Sequence, residues 1–503
     1  MGDSLHMKKN VLDFLVQAAC LTPNKTAVAY RDSSYTYQEL DTLAKRIGYA
    51  IREVGLKDQP VGVFAERSIE TIALFFGVLY SGNYYVPIDP DMPTEKIAMI
   101  FEDACFQAVL GSDADRELAR RIGYSGLYYT MNDIGEHMAA MPDAGDQDPI
   151  YMVYTSGSTG KPKGVLKSHK AVITYIEAFS RTFEFSADEV IGNQTPFYFD
   201  ASAKDIYLML KLGCRMEILP PTLFSLPPEL IDYLNEKKVT FASWVPTVIS
   251  LVAQLNPFSM VKPTTLKKVF FVGEVMPMKH LNKWRKDLPD IQYVNLYGSS
   301  EIAGICCYYE VRDQFEDSAV LPMGKPLNNC KIYLMDQDTV ITEPNRIGEL
   351  YLVSDSLALE YYHDPEKTRN SFLERDFGEG MVRCFRTGDL AQYDACGNLV
   401  FASRTDSQIK HMGHRIELGE IEAVANALPE LNRCCCLYNA PKRKIILFCE
   451  LAQDVNLKDQ EVRSILRSKL SDYMLPGKVV IMPALPLNQN GKIDRQKLKT
   501  MLG

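Results

Sequence analysis

A chain of 503 residues, 46% apolar and 24% charged, is too long for one compact core, and its composition is that of a soluble globular protein of two or more domains. Its net charge of −9 and isoelectric point near 5.5 argue against nucleic acid and anionic membrane as partners. No apolar run reaches the ~18 residues of a membrane span and no basic-then-apolar leader opens the chain, so a cytoplasmic location is expected.

From residue 10 to about 400, short β-rich runs alternate with helical stretches. Pro60–Phe64 reads as a strand, Thr71–Tyr80 as a helix and Val269–Val272 as a strand. This alternation predicts α/β layers with largely parallel strands. The apolar run Ile150-Tyr151-Met152-Val153 leads into Tyr154-Thr155-Ser156-Gly157-Ser158-Thr159-Gly160-Lys161-Pro162-Lys163-Gly164. A strand that opens into such a loop makes a pocket for polyanions. Glycines admit backbone N–H groups to phosphate oxygens, hydroxyls add donors and lysines add charge. The loop is not a Walker motif. With Gly160-Lys161 as its Gly-Lys, Thr155 falls on the first glycine and Pro162 on the magnesium-binding hydroxyl. Pro162 also biases Lys161 away from helical geometry, so no phosphate-capping helix starts there.

The character changes near Arg404–Asp406, after the turn-like Asp394-Ala395-Cys396-Gly397-Asn398. Ile445–Leu451 reads as a strand, Asp459–Leu470 as an amphipathic helix and Val479–Pro483 as a last strand, together a small α+β domain. The twelve cysteines are scattered apart from Cys434-Cys435-Cys436. Neighbours on a strand alternate faces, which suits no single metal ion, and reduced thiols are expected.

Further segments follow in order: Tyr35-Thr36-Tyr37-Gln38-Glu39-Leu40, Gly82-Asn83-Tyr84-Tyr85-Val86-Pro87-Ile88-Asp89-Pro90, Phe199-Asp200-Ala201-Ser202, Asn295-Leu296-Tyr297-Gly298-Ser299-Ser300-Glu301, Gly348-Glu349-Leu350, Arg386-Thr387-Gly388-Asp389-Leu390, Ser403-Arg404-Thr405-Asp406-Ser407-Gln408-Ile409-Lys410, Arg415-Ile416-Glu417-Leu418-Gly419-Glu420-Ile421-Glu422 and Asn490-Gly491-Lys492-Ile493-Asp494-Arg495. With the loop at 154–164, they closely resemble the ordered motifs of the adenylate-forming superfamily: acyl-CoA synthetases, luciferases and adenylation domains of nonribosomal peptide synthetases. The match runs from about residue 28 to residue 495. It implies an α/β fold with a large N-terminal domain of layered α/β subdomains (8–405) and a small mobile α+β domain (406–503), hinged at Asp406.

The resemblance implies ATP and Mg²⁺ as cofactors, with Glu301 as the metal ligand and a catalytic residue, and Lys492 as the catalytic lysine. It places ATP on Thr155, Ser156, Gly157, Ser158, Thr159, Gly160, Lys163, Gly273, Asn295, Tyr297, Gly298, Ser299, Ser300, Asp389, Phe401 and Arg404. Tyr297 would stack on adenine, Asn295 would meet its amine, and Asp389 would accept the ribose hydroxyls. The substrate pocket would hold Asp200, Ala201, Lys204, Ser243, Phe270, Val272, Leu296, Gly304 and Ile305. Asp200 would pair with a substrate α-ammonium, against an alternative role as helix N-cap. Lys204 would meet a side-chain carboxylate or carboxamide, or else snorkel out or pair with Asp205 or Glu274. Phe270 would make the pocket shallow. Gly413 would line a channel for phosphopantetheine on a peptidyl or acyl carrier protein. Gly273-Glu274-Val275 and the length also resemble D-alanine–carrier protein ligases.

Ser299-Ser300 stand where the family carries Pro-Thr, Ser403 where a glycine precedes the arginine, and Glu360 where a glycine precedes Tyr361. The activity implied is ATP-dependent formation of aminoacyl-AMP and its transfer to a carrier thiol, by a monomer that is stand-alone or excised from a synthetase. The alternatives are an acyl-CoA synthetase or aryl-acid ligase, and a non-catalytic adenylate-binding protein.

Overall fold

A computed structural model describes residues 10–155, 161–317, 319–404, 408–486 and 493–502. The chain divides into two compact units. The first gathers residues 1–90, 101–153 and 164–405, and the second 91–100, 154–163 and 406–503.

Three sheets build the first unit. A nine-stranded sheet runs in the order Lys325–Pro326, Cys307–Glu310, Gln292–Tyr297, Lys268–Val272, Phe241–Trp244, Val190–Asn193, Arg215–Ile218, Thr26–Tyr30 and Ser33–Thr36. The six strands from Gln292–Tyr297 to Thr26–Tyr30 are parallel, with antiparallel strands at both edges. A seven-stranded sheet runs Glu360–Tyr361, Lys163–Ser168, Pro149–Thr155, Tyr84–Ile88, Pro60–Phe64, Ala108–Leu110 and Leu127–Tyr129. Its central strands are buried on both faces, which is why they read as unbroken apolar runs.

Two helices show how sequence sets this packing. Tyr37–Arg52 opens on a capping box: the Thr36 hydroxyl accepts from the Glu39 N–H, and the Glu39 carboxylate accepts from the Thr36 N–H at 2.8 Å. Tyr37, Leu40, Ala44, Ile47 and Ile51 form its buried stripe. Tyr37 also donates from its hydroxyl to the carbonyl of Cys214 at 2.6 Å, so the Tyr-Thr-Tyr-Gln-Glu-Leu segment starts a helix and pins it to the sheet. Ile69–Tyr80, capped by Ser68, is buried on almost every side. The two helices approach so closely at Gly77 that a Cβ there would lie 2.3 Å from Ile47 Cγ2.

The third sheet departs from the parallel expectation. It is antiparallel, in the order Thr339–Ile341, Cys330–Asp336, Gly348–Ser354, Met381–Tyr393 and Phe372–Asp376, with Leu399–Arg404 also on Met381–Tyr393. Turns such as 394–398, where the Asp394 carboxylate accepts from the Cys396 and Asn398 N–H groups, fold these strands back directly. The turn at 394–398 is too short for the crossover helix that parallel pairing would need.

In the second unit, Gln408–His411 and His414–Glu417 form a hairpin, followed by helix Leu418–Asn426. Leu431–Asn439, Lys444–Leu451 and Lys478–Ile481 make a three-stranded sheet, accompanied by helices Asp459–Arg467 and Arg495–Thr500. Cys434 and Cys436 face one apolar cluster and Cys435 another, as alternation on a strand dictates.

Candidate active site

Parallel α/β sheets bind ligands beyond the carboxyl ends of their strands. In the nine-stranded sheet these ends include Asn193, Trp244, Val272 and Tyr297. The segments that follow carry Asp200, Gly273 and Gly298 to Glu301.

Tyr297, Asp389 and Arg404 meet there. Asp389 and Arg404 are direct cross-strand partners, and the Arg404 guanidinium pairs with Asp389 Oδ1. The Tyr297 hydroxyl donates to Asp389 Oδ2, and Arg404 also reaches the Thr387 carbonyl at 3.2 Å. Both carboxylate oxygens are therefore engaged, and two ribose hydroxyls would exchange with these donors. Burial, then the Asp389 charge, raises the Tyr297 phenol well above its usual range. Phe401 lies on the neighbouring strand, half-buried against the core, opposite Ala391. The Asn295 amide donates to the Pro322 carbonyl at 2.7 Å.

Glu301 is fully buried, and its Oε1 accepts from the Tyr361 hydroxyl at 2.7 Å. Ser299 and Ser300 precede it, and the buried Ser299 hydroxyl has no hydrogen-bond partner among the described residues. No group of three or more His, Cys, Asp or Glu side chains placed to hold a metal ion exists among the described residues. One buried carboxylate beside an unmet hydroxyl suits Mg²⁺, which keeps water and phosphate oxygens as its other ligands. Gly304, at φ +102, closes the turn after Glu301. A Cβ there would lie 2.3 Å from the Tyr175 ring. Gly273, also at positive φ, precedes Glu274, which accepts from the Thr247 hydroxyl at 2.7 Å.

Ser243, Phe270 and Val294 are adjacent in register, as are Val272 and Leu296, so the expected pocket positions share one sheet face. Ser243 is buried with its hydroxyl unpartnered among the described residues. Phe270 is wholly buried among the rings of Phe183, Phe185 and Phe241. Ile305 is buried and Ala201 half-buried. Lys204 is buried, pairs with Asp205 and lies 5.5 Å from the Phe241 ring centroid. Asp205 also accepts from Asn193 at 2.9 Å. The lysine thus already has a carboxylate partner.

Asp200 stands at the start of helix Ala201–Leu212 in helical geometry (φ −51, ψ −36) and makes no side-chain cap hydrogen bond. Its Oδ1 accepts from the Tyr151 hydroxyl at 2.9 Å and from the wholly buried Lys167 ammonium. Burial raises the Asp200 carboxyl and lowers the Lys167 ammonium from their ordinary values, and each opposes the shift in the other. Beneath the pair, Tyr85 and Tyr207 flank Tyr151 with ring centroids 5.4 and 6.4 Å away. The Tyr84-Tyr85 segment thereby supplies the floor of the Asp200 site. Lys167 and Tyr151 were not expected from sequence, although a lysine inside the wholly buried strand Lys163–Ser168 is itself a signal that an anion faces it.

Thr155 ends strand Pro149–Thr155 with its hydroxyl buried and unpartnered among the described residues. Lys163 Nζ lies 3.9 Å from Glu417, both within the second unit. Gly413, at φ +82, follows Met412 in the hairpin turn. Ser156, Gly157, Ser158, Thr159, Gly160, Asp406 and Lys492 lie outside the described residues.

The AMP-binding enzyme family matches residues 15–362, and the AMP-binding enzyme C-terminal domain matches residues 420–492. The chain is 31% identical to zwittermicin A synthase ZmaJ of Bacillus cereus over 96% of this chain and 93% of that protein. It is 31% identical to tyrocidine synthase 3 of Brevibacillus parabrevis over 96% of this chain, and spans only 7% of that protein's length. Its fold is similar to that of holo-PA1221, an NRPS protein containing adenylation and PCP domains, with a TM-score of 0.85, 24% identity and coverage of 98% of this chain and 84% of that one. Among the described residues no helix is long and apolar enough to cross a membrane. With the family's two domain models matched in order and its fold present, the chain belongs to the AMP-binding enzyme family, the adenylate-forming ligases.

Proposed function

We propose that the protein activates an amino acid as aminoacyl-AMP and passes it to the phosphopantetheine thiol of a carrier protein. Asp200 carries this reading: a largely buried carboxylate, 13% exposed, not used as a helix cap, at the ligand-binding end of the sheet. Such a group suits a substrate ammonium and disfavours a plain fatty acid.

In the first half-reaction a substrate carboxylate oxygen attacks the α-phosphorus of ATP. The bond from that phosphorus to the bridging oxygen breaks and pyrophosphate leaves. Asp389, Tyr297 and Arg404 hold the nucleoside. Thr155, Lys163 and the residues 156–160 hold the phosphates, Lys492 bridges substrate carboxylate and phosphate, and Glu301 holds Mg²⁺, which supplies positive charge where the anions meet. In the second half-reaction the small domain, hinged at Asp406, turns to bring Gly413 to the pantetheine channel. The carrier thiolate attacks the acyl carbon, and the bond to AMP breaks.

Pyrophosphate exchange across L- and D-amino acids, aryl acids and fatty acids tests the reading. Exchange with one or a few amino acids is expected. Preference for aryl or fatty acids would make the protein an aryl-acid ligase or acyl-CoA synthetase. ATP binding without exchange on any acid would make it a non-catalytic adenylate binder.

A further inference from the structure

We infer that Lys167 is the positioning residue for amine recognition: it fixes Asp200 by one carboxylate oxygen so that the other faces the substrate's α-ammonium. This inference rests on the amino-acid reading above.

An ammonium has three N–H donors. Those of Lys167 are met by Asp200 Oδ1, by the Tyr151 hydroxyl oxygen at 3.3 Å and by the Ile302 carbonyl at 3.4 Å. The side chain is wholly buried, so no donor remains for a substrate carboxylate. Tyr151 in turn donates to the same Asp200 Oδ1 at 2.9 Å, closing a triangle of Lys167, Tyr151 and Asp200. Tyr151 is held by its stacked neighbours, Tyr85 and Tyr207, whose hydroxyls bond each other at 2.8 Å. Every hydrogen bond described for Asp200 falls on Oδ1. Among the described residues none reaches Oδ2, and the Asp200 side chain keeps 13% exposure.

A carboxylate anchored through one oxygen presents the other in a set direction, the preorganisation a recognition site needs. A substrate ammonium on Oδ2 would meet the oxygen on which no described hydrogen bond falls. An acid lacking the amine leaves Oδ2 unpaired, which is how a hydrogen-bonding site rejects analogues by large factors.

The test is pyrophosphate exchange by the full chain with matched pairs: alanine against propionate, phenylalanine against 3-phenylpropionate, glutamate against glutarate. Wild type should prefer the exchanging amino acid over its des-amino partner by about 10³-fold or more. In Lys167→Met that ratio should fall about 10- to 100-fold, through the KM of the amino acid and not that of ATP. Tyr151→Phe, which keeps the ring stack, should lower the ratio in the same direction by less, and carries the test if Lys167→Met fails to fold. Proportional loss on both partners of a pair, or an equal rise in the ATP KM, would make Lys167 and Tyr151 structural and overturn the inference while the amino-acid reading stands. Wild-type preference for the des-amino acids would overturn that reading and the inference together.

Discussion

Asp389 is the residue on which the proposed nucleoside end of the site turns. It is buried, and both oxygens are held by donors that are themselves expected nucleotide ligands. Asp389→Ala should raise the KM for ATP about 10- to 100-fold, the worth of one charge-assisted hydrogen-bond set, with little change in the amino-acid KM. Pyrophosphate exchange with ATP varied at saturating amino acid checks this. Tyr361 donates to Glu301, the proposed Mg²⁺ ligand, as outer partners do when they orient metal ligands. Tyr361→Phe should raise the Mg²⁺ concentration needed for half-maximal exchange by about tenfold. At this scale the sequence is informative where a residue type carries its own chemistry. Asp200, Glu301, Asp389 and Arg404 stand out by their motifs. Lys167 does not, because its significance lies in which residue it faces across 33 positions of sequence.

Elements show the same division. Pro60–Phe64 is a strand as read from its apolar run, and the helix read over Thr71–Tyr80 begins at Ile69, because Ser68 caps it. The strand read at Ile445–Leu451 and the helix at Asp459–Leu470 are present as Lys444–Leu451 and Asp459–Arg467. The antiparallel pairing of residues 330–404 is not legible in sequence, since strand periodicity is the same whichever way a neighbour runs. The turn after Glu301 illustrates a constraint invisible to periodicity. Gly304 has a positive φ, and its missing side chain makes room for the Tyr175 ring. Gly304→Ala should destabilise the first unit by about 1–3 kcal/mol through backbone strain and overpacking. A lower midpoint in chemical denaturation, read from the first unit's two tryptophans, Trp244 and Trp284, would record it.

For the whole molecule, each unit holds a histidine, buried at His169 and half-buried at His414, that the fold keeps neutral to lower pH. In the first, burial pushes His169 down to about 4, and its Nδ1 accepts from the Val11 N–H at 3.3 Å. In the second, burial pushes His414 down to about 3, stacked 3.6 Å from the Tyr473 ring. Because the folded values lie below the unfolded one, near 6.5, the unfolded chain takes up the proton first. The stability each contributes is complete above about pH 6.5 and is lost as pH falls toward the folded value. His169→Asn, whose side-chain oxygen can replace Nδ1 as the acceptor, should flatten the acid side of the stability curve of the first unit. The difference should approach 3 kcal/mol in order of magnitude at pH 4, measured as denaturation midpoints from pH 7 to 4. Motifs, turns and periodicity are local, so the family, the alternation of short strands and helices, and the motif residues proposed as charged ligands are legible in the amino-acid order alone. How those ligands are engaged is not. Folding set Lys167 and Tyr151 on one oxygen of Asp200, gave Lys204 to Asp205, and closed Tyr297 and Arg404 on Asp389. A buried charge must find its partner in space, and burial and neighbours exist only once distant strands are packed.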